Sequence, residues 1–289
     1  MIRPARGLGA KPMALEFLNP RMATLRVDAI TLDADGVLHR GRTVLPGALD
    51  LLHGLNERAI PWQIVTNNSR QTAERAAEHY RSIGLPVRGD QVVTAADATA
   101  AYIVGVHAGA RRPRVYPLGD ADQRACLIAG GCQVTDDEDR AEYVAVGINR
   151  HLTYQRLFHA CNAIRRGARF VVANLDATVP TETGAIPGAG ALAAAIKVAT
   201  GKDWYAIGKP APEMMLQALR RMARAPAAAL HVGDRLDSDV PAALRAGMAT
   251  ALVTTGEHGR EEGLAASGDA RPDIIAADLP TVNAWLFRP

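Results

Sequence analysis

The stretch Thr31-Leu32-Asp33-Ala34-Asp35-Gly36-Val37-Leu38 (TLDADGVL, 31–38) ends an apolar run, VDAITL (27–32), with two carboxylates and a glycine. A carboxylate costs free energy wherever water is scarce. Two of them at the tip of an apolar strand therefore call for a function. The segments that follow supply the frame. VDAITLD (27–33) reads as a strand and PGALDLLHGLNER (46–58) as a helix, with Pro46 suited to its first turn. IPWQIVTNNS (60–69) reads as a second strand, and RQTAERAAEHYRSIG (70–84) as a helix that stops at Gly84. Strand and helix in alternation predict a parallel sheet with right-handed crossovers. Ligand sites in such sheets lie beyond the carboxyl ends of the strands. Asp33 and Thr66 fall at two such ends.

From about residue 89 the alternation restarts. VVTAADATAAYIVG looks helical, RPRVYPLGD (112–120) strand-like, and QRACLIAGGCQV is a helix leading into a strand. EYVAVGI (142–148) and RFVVANLD (169–176) read as strands, TYQRLFHACNAIRRGA (153–168) and GAGALAAAIKVATG (188–201) as helices. The earlier style returns with WYAIGKP (204–210), PEMMLQALRRMA (212–223), ALHVGDRLDSDV (229–240), PAALRAGM (241–248) and ATALVTTG (249–256), and TVNAWLF (281–287) reads as a closing helix. The expected organisation is α/β: a Rossmann-like parallel-sheet core of residues 27–88 and 203–289, interrupted by an inserted α/β cap domain of residues 89–202, and preceded by a mobile extension of residues 1–26.

Composition narrows the class. Of 289 residues, 48% are hydrophobic and 22% charged, as in a globular protein able to bury a substantial core. Abundant alanine favours helices packed closely on sheets. The net charge of +3 is small and the arginines are scattered, which speaks against a nucleic-acid partner. The three cysteines, Cys126, Cys132 and Cys161, form no C-x-x-C and no even set, a pattern that fits a reducing cytoplasm and argues against zinc. Residues 1–26 lack the apolar stretch of a signal peptide, and no run is apolar enough to span a membrane.

Four strand-end loops are rich in polar residues: DADG (33–36), TNNS (66–69), GKP (208–210) and GDRLDSD (233–239). Each alone reads as a turn, a cap or a solvated head. Their order and strand context together resemble the haloacid dehalogenase-like phosphohydrolases, and more closely their NagD-like and p-nitrophenylphosphatase-like branch, with a large cap between the second and third motifs. Asp33-Ala34-Asp35-Gly36 matches the first motif, Thr66-Asn67-Asn68 the second, Gly208-Lys209-Pro210 the third and Gly233-Asp234 through Asp239 the fourth. LTYQRLFHACNAIRRGARFVVANLD and PTETGAIPGAG resemble the cap of that branch.

The resemblance implies a chemistry. Phosphate monoesters hydrolyse extremely slowly unaided, and a carboxylate nucleophile divides the step in two. Asp33 would be that nucleophile, forming an aspartyl-phosphate. Asp35 would protonate the leaving oxygen and later activate water, with Gly36 letting the chain bend. Carboxylates facing a phosphate call for Mg2+, held by Asp33, the Asp35 carbonyl and Asp234, with Asp239 as a further or water-bridged partner and Asp237 holding the loop. Lys209 would offset charge on Asp33 and the phosphoryl group. Thr66, with Asn67, Asn68 and nearby amides, would hold phosphoryl oxygens. Ala34, smaller than the residue usual there, would face into the packing.

Asp35 separates this chain from true dehalogenases, whose leaving halide needs no proton. The short gap from Gly36 to Thr66 leaves no room for the cap of a phosphomutase. The loop ANLDATVPTETGAIPG (173–188) resembles a specificity loop, with Asn174, Asp176 and Thr178 as expected substrate contacts; His39 and Arg40 lie near the nucleophile loop. The expected function is a phosphatase of a small phosphorylated metabolite, with a sugar, polyol or glycerol-type phosphate favoured. Nucleoside monophosphate, phosphoglycolate and pyridoxal phosphate are the alternatives. A non-catalytic phosphate-binding protein on the same fold would show a damaged motif, and none is damaged. The resemblance also implies a possible homodimer through the cap.

Overall fold

The computed structural model describes residues 15–181 and 184–288. Its centre is a sheet of seven strands in the order Glu16–Phe17, Ile274–Ala276, Ala249–Val253, Ala229–Gly233, Ala29–Leu32, Trp62–Thr66, Val92–Thr94. All neighbours are parallel except the first pair, Glu16–Phe17 against Ile274–Ile275. The central strands are buried along their whole length because helices cover both faces. Helices Ala48–Glu57, Ala73–Ser82 and Leu279–Leu286 pack on one face, as TVNAWLF led us to expect for the last. Helices Ala95–Val106, Glu213–Met222 and Asp239–Arg245 pack on the other. That second face is rich in alanine (Ala29, Ala98, Ala218, Ala229, Ala242, Ala243), which lets helix and strand approach closely.

A second, five-stranded parallel sheet forms the cap, in the order Tyr205–Ala206, Arg169–Val172, Tyr143–Val146, Arg114–Pro117, Gln133–Val134. Helices Tyr154–Arg165 and Ala189–Thr200 cover one side. The other side shares a continuous apolar cluster with the core, in which Val115, Tyr143 and Val171 join Ile103, Met214 and Met215. Side-chain caps start several helices: Thr72, Thr94, Asp120, Thr153 and Asp278 each accept from a backbone amide three residues on.

The hydrogen bonding corrects the expected boundaries in three places. Val92–Thr94, read as the start of a helix in the cap, pairs with Ile64–Thr66 as an edge strand of the core. Tyr205–Ala206, read as core, pairs with Val171–Val172 as an edge strand of the cap. The extension is anchored from Leu15 onward: Glu16–Phe17 adds a strand, Met22 is buried, and Asn19 donates to Asp273 at 2.8 Å. Residues 1–14 of the expected mobile tail lie outside the described residues. Two short hairpins, His39–Arg40 with Thr43–Val44 and Thr178–Thr181 with Gly184–Pro187, stand apart from both sheets.

Candidate active site

The first motif departs from the sheet at Leu32. A continued strand would place Asp33 and Asp35 on one face. Instead the chain turns, and Gly36 adopts φ +83°, where a side chain is strained and a Cβ would collide with Asp234 Oδ2. The turn separates the two carboxylates. Asp33 is buried at 9% exposure, whereas the Asp35 side chain is 78% exposed. Ala34 is buried in the core, as expected. Thr255 Oγ1 donates to the Gly36 carbonyl at 2.7 Å and fixes the turn.

Lys209 is the pivot. It is 3% exposed, and its ammonium donates to Asp33 Oδ1, to Asp239 Oδ1 at 2.6 Å and to the Val65 carbonyl at 3.1 Å. Those three acceptors use all three of its protons. Burial disfavours the Lys209 charge, but Asp239 and Asp33 outweigh it and hold the amine protonated well above its ordinary range. Asp239 is fully buried. Burial would raise its carboxyl, yet Lys209 and His231 hold it well below the usual carboxylate range. Its other oxygen accepts the amides of Asp234 at 3.3 Å and Arg235 at 3.1 Å.

Asp33, Asp234 and Asp239 each bring a carboxylate oxygen within 4.8 Å of the others. Three buried carboxylates face one buried ammonium, an imbalance that disfavours ionisation of all three. Burial, then the charges of Asp33 and Asp239, push Asp234 up to about 7. Asp33 is raised by burial despite Lys209. Asp234 Oδ2 accepts from the Glu257 amide at 2.8 Å, while Asp234 Oδ1 is buried with no partner. A hard divalent cation fits this set: all-oxygen donors, an orphaned buried oxygen and uncompensated negative charge.

The second motif forms the facing wall. Asn67 Nδ2 donates to the Lys209 carbonyl at 3.0 Å and to Asp176 Oδ1 at 3.4 Å, and Asn174 Nδ2 donates to the Asn67 carbonyl at 2.7 Å. The close approach depends on Gly208, where a Cβ would meet Ala173 O, Asn174 Cβ and Asn67 Oδ1 at 2.7–2.8 Å. Asn67, Asn174, Asp176 and Lys209 are thus brought together. Asp176 is raised by burial. Thr66 Oγ1 accepts the Asn68 amide at 3.3 Å.

Asn68, Thr178, Asp237, His39 and Arg40 have partners of their own, Asp237 within its loop and His39 beside Asp35. Asn68 directs its side chain to its own loop, accepting the amides of Arg70 and Gln71 at 2.9 and 3.2 Å and donating to Gln71 Oε1 at 3.2 Å. Thr178 is exposed on the outlying hairpin, paired by backbone to Pro187. Asp237 is exposed and paired with Arg235 at 2.8 and 3.0 Å. His39 is buried beside Tyr80 and donates to the Gly41 carbonyl at 3.0 Å, with Arg40 turned to the Thr255 carbonyl. Sequence reading missed the loop Thr255–Glu257, His231 and Tyr80, whose hydroxyl is raised by burial and by the Asp33 charge. The strand-end position of TTGE, after Ala249–Val253, is the signal that could have flagged the first.

Family models give the same answer. Residues 30–133 match haloacid dehalogenase-like hydrolase and residues 206–282 match HAD-hydrolase-like. The chain is 36% identical over 230 residues to 5'-nucleotidase YutF of Bacillus subtilis, covering 80% of this chain and 88% of that protein. It is 36% identical to an acid sugar phosphatase of Staphylococcus aureus, covering 79% and 86%. Its fold matches the magnesium complex of glycerol phosphate phosphatase Rv1692 from Mycobacterium tuberculosis with a TM-score of 0.79, at 35% identity over 88% of this chain and 76% of that one. The chain belongs to the haloacid dehalogenase-like hydrolases, in their NagD-like, p-nitrophenylphosphatase-like branch.

Proposed function

We propose that this enzyme is a magnesium-dependent phosphatase that hydrolyses a small sugar, polyol or glycerol-type phosphate through an aspartyl-phosphate. The observation that carries the reading is the buried ammonium of Lys209 between Asp33 and Asp239, beside the orphaned oxygen of Asp234. The ion would be held by Asp33 and Asp234 with the Asp35 carbonyl, Asp239 bracing Lys209 and the loop. When bound it neutralises phosphoryl charge and brings the anionic ester to the carboxylates.

The protein's own groups do the rest. Lys209 holds Asp33 Oδ1, which leaves Oδ2 to attack phosphorus. The P–O bond to the alcohol breaks, and Asp35 gives that oxygen its proton. Asp35 then takes a proton from water, whose oxygen attacks the same phosphorus and releases phosphate and the Asp33 carboxylate. The exposure of Asp35 on the turn beside the nucleophile supports its role as proton carrier. Thr66 and the amides after it would receive phosphoryl oxygens. Asn67, Asn174 and Asp176 form a polar wall suited to hydroxyl groups, which favours a polyol or sugar leaving group; the acid sugar phosphatase and the glycerol phosphate phosphatase among the relatives support that class. The 5'-nucleotidase relative keeps a nucleoside monophosphate as the second reading.

Three buried free thiols support a reducing, cytoplasmic setting, and no helix among the described residues is long and apolar enough to cross a membrane. A homodimer through the cap belongs to the same reading. The test is phosphate release from a panel of some tens of phosphorylated metabolites, with Mg2+ and with EDTA. A polyol or sugar phosphate should be turned over well above nucleotides. Activity unaffected by EDTA would overturn the metal-dependent mechanism, and nucleotides leading the panel would replace the substrate class.

A further inference from the structure

His231 is 1% exposed on the central strand Ala229–Gly233, and the mechanism above leaves it unused. In the parallel register it lies directly beside Thr31, itself 0% exposed and two residues before the nucleophile. Thr31 Oγ1 is 2.9 Å from His231 Nδ1, and His231 Nε2 is 3.4 Å from Asp239 Oδ1. Asp239 Oδ1 receives Lys209 at 2.6 Å, and Lys209 holds Asp33. A buried line of hydrogen bonds therefore runs from the middle of the sheet to the reacting carboxylate.

The direction of each bond follows from the donor inventory. An ionised carboxylate only accepts, so the ring atom facing Asp239 carries a proton. A ring with Nε2 bare would set a lone pair against a buried carboxylate, an uncompensated contact in a low-dielectric site. Nδ1 then faces the Thr31 hydroxyl. The other acceptor available to that hydroxyl is Met215 Sδ at 3.7 Å, a weak one. The Thr31 proton goes to Nδ1 and fixes the tautomer with Nε2–H aimed at Asp239.

We infer that His231, oriented by Thr31, is a positioning residue that holds Asp239 and through it Lys209 in register with Asp33. The inference rests on the reading of Asp33 and Lys209 as the reacting pair. Every proton of Lys209 is committed to one acceptor, so a rotation of Asp239 carries the ammonium with it. Outer partners of this kind typically affect activity by about 10–100-fold in metal sites. A buried, hydrogen-bonded histidine that merely fills the core would affect folding stability and leave turnover of the folded protein unchanged.

The test uses the full chain with saturating Mg2+ and p-nitrophenyl phosphate. Variants His231→Leu, His231→Gln and Thr31→Val are run beside Asp33→Asn, with melting temperatures and 15N imidazole NMR. Expected are a kcat loss of roughly 10–100-fold for His231→Leu with KM unchanged, and recovery of most of it by His231→Gln, whose amide can donate to Asp239. Thr31→Val should lose less. The wild-type ring should show Nε2 protonated and Nδ1 bare. A folded His231→Leu with wild-type kcat, or a ring with Nε2 bare, overturns the proposal. If His231→Leu does not fold, Thr31→Val and the NMR decide it alone. Retained turnover in Asp33→Asn instead overturns the reading of the reacting pair, so the two failures are distinguishable.

Discussion

Lys209 and Thr178 stand on opposite sides of the division between core and cap. Lys209, on the loop that returns to the core, is 3% exposed and donates to three named acceptors. Thr178, on the cap's small hairpin, is exposed and tied in by backbone pairing to Pro187. The core holds Lys209 and Asp239 at the ends of buried parallel strands, where several hydrogen bonds fix each. The cap presents its polar groups from a loop and a two-stranded hairpin outside either main sheet. Phosphoryl transfer needs preorganised charge, which a rigid frame supplies. Choice among leaving groups needs a surface that can vary without disturbing that frame. Asn174 and Asp176 lie between these extremes, since they belong to the cap yet lock onto Asn67.

That contrast can be broken by substitution. Asp33→Asn should lower kcat by about 10^4-fold or more, since removal of a nucleophile leaves only binding and electrostatic help; phosphate release under saturating Mg2+ measures it. Lys209→Met should cost about 10^2–10^3-fold in kcat. It should also destabilise the fold by about 3–5 kcal/mol, because it leaves Asp33 and Asp239 buried without their cation; denaturant titration of the same sample reads that cost. Asp176→Asn should change KM and substrate ranking several-fold with kcat on p-nitrophenyl phosphate little altered. Thr178→Ala should stay within about threefold on every substrate. A loss at Thr178 as large as at Lys209 would erase the distinction between the two sides.

The pH dependence of stability sharpens the same point. Without a cation, Asp234 has its carboxyl raised to about 7 by burial and by neighbouring carboxylates, against an ordinary 3.8. Between these values the folded state binds more protons than the unfolded state, so stability falls as pH rises through that window. The melting temperature in EDTA should therefore be lower at pH 8 than at pH 6. Added Mg2+ should raise it more at pH 8 than at pH 6, because the ion replaces protons at the site. Scanning calorimetry in the four conditions reads both effects.

Much of the site was legible because it is built from strand ends. Asp33, Thr66, Lys209 and Asp234 follow apolar runs, and that alternation carries the fold. What escaped the sequence had physical causes. Val92–Thr94 is a three-residue edge strand fused to a helix, so its period is drowned by the helical one. Tyr205–Ala206 joins the cap through two residues that only pairing reveals. His231 reads as an ordinary inward residue of an apolar strand, and only its register against Thr31 shows what it faces. Asn68 and Asn67 are chemically alike, and their fates differ because one turns into its own loop.

The central claim is that Asp33 takes the phosphoryl group. Enzyme and p-nitrophenyl phosphate would be mixed with Mg2+, quenched in acid within the first turnover, reduced with borohydride and sequenced by mass spectrometry. An acyl-phosphate at Asp33 is reduced to the alcohol, which appears as a homoserine at position 33. The expected result is that conversion at Asp33 alone, absent when EDTA replaces Mg2+. Turnover with position 33 unmodified, or conversion at another carboxylate, would contradict the account.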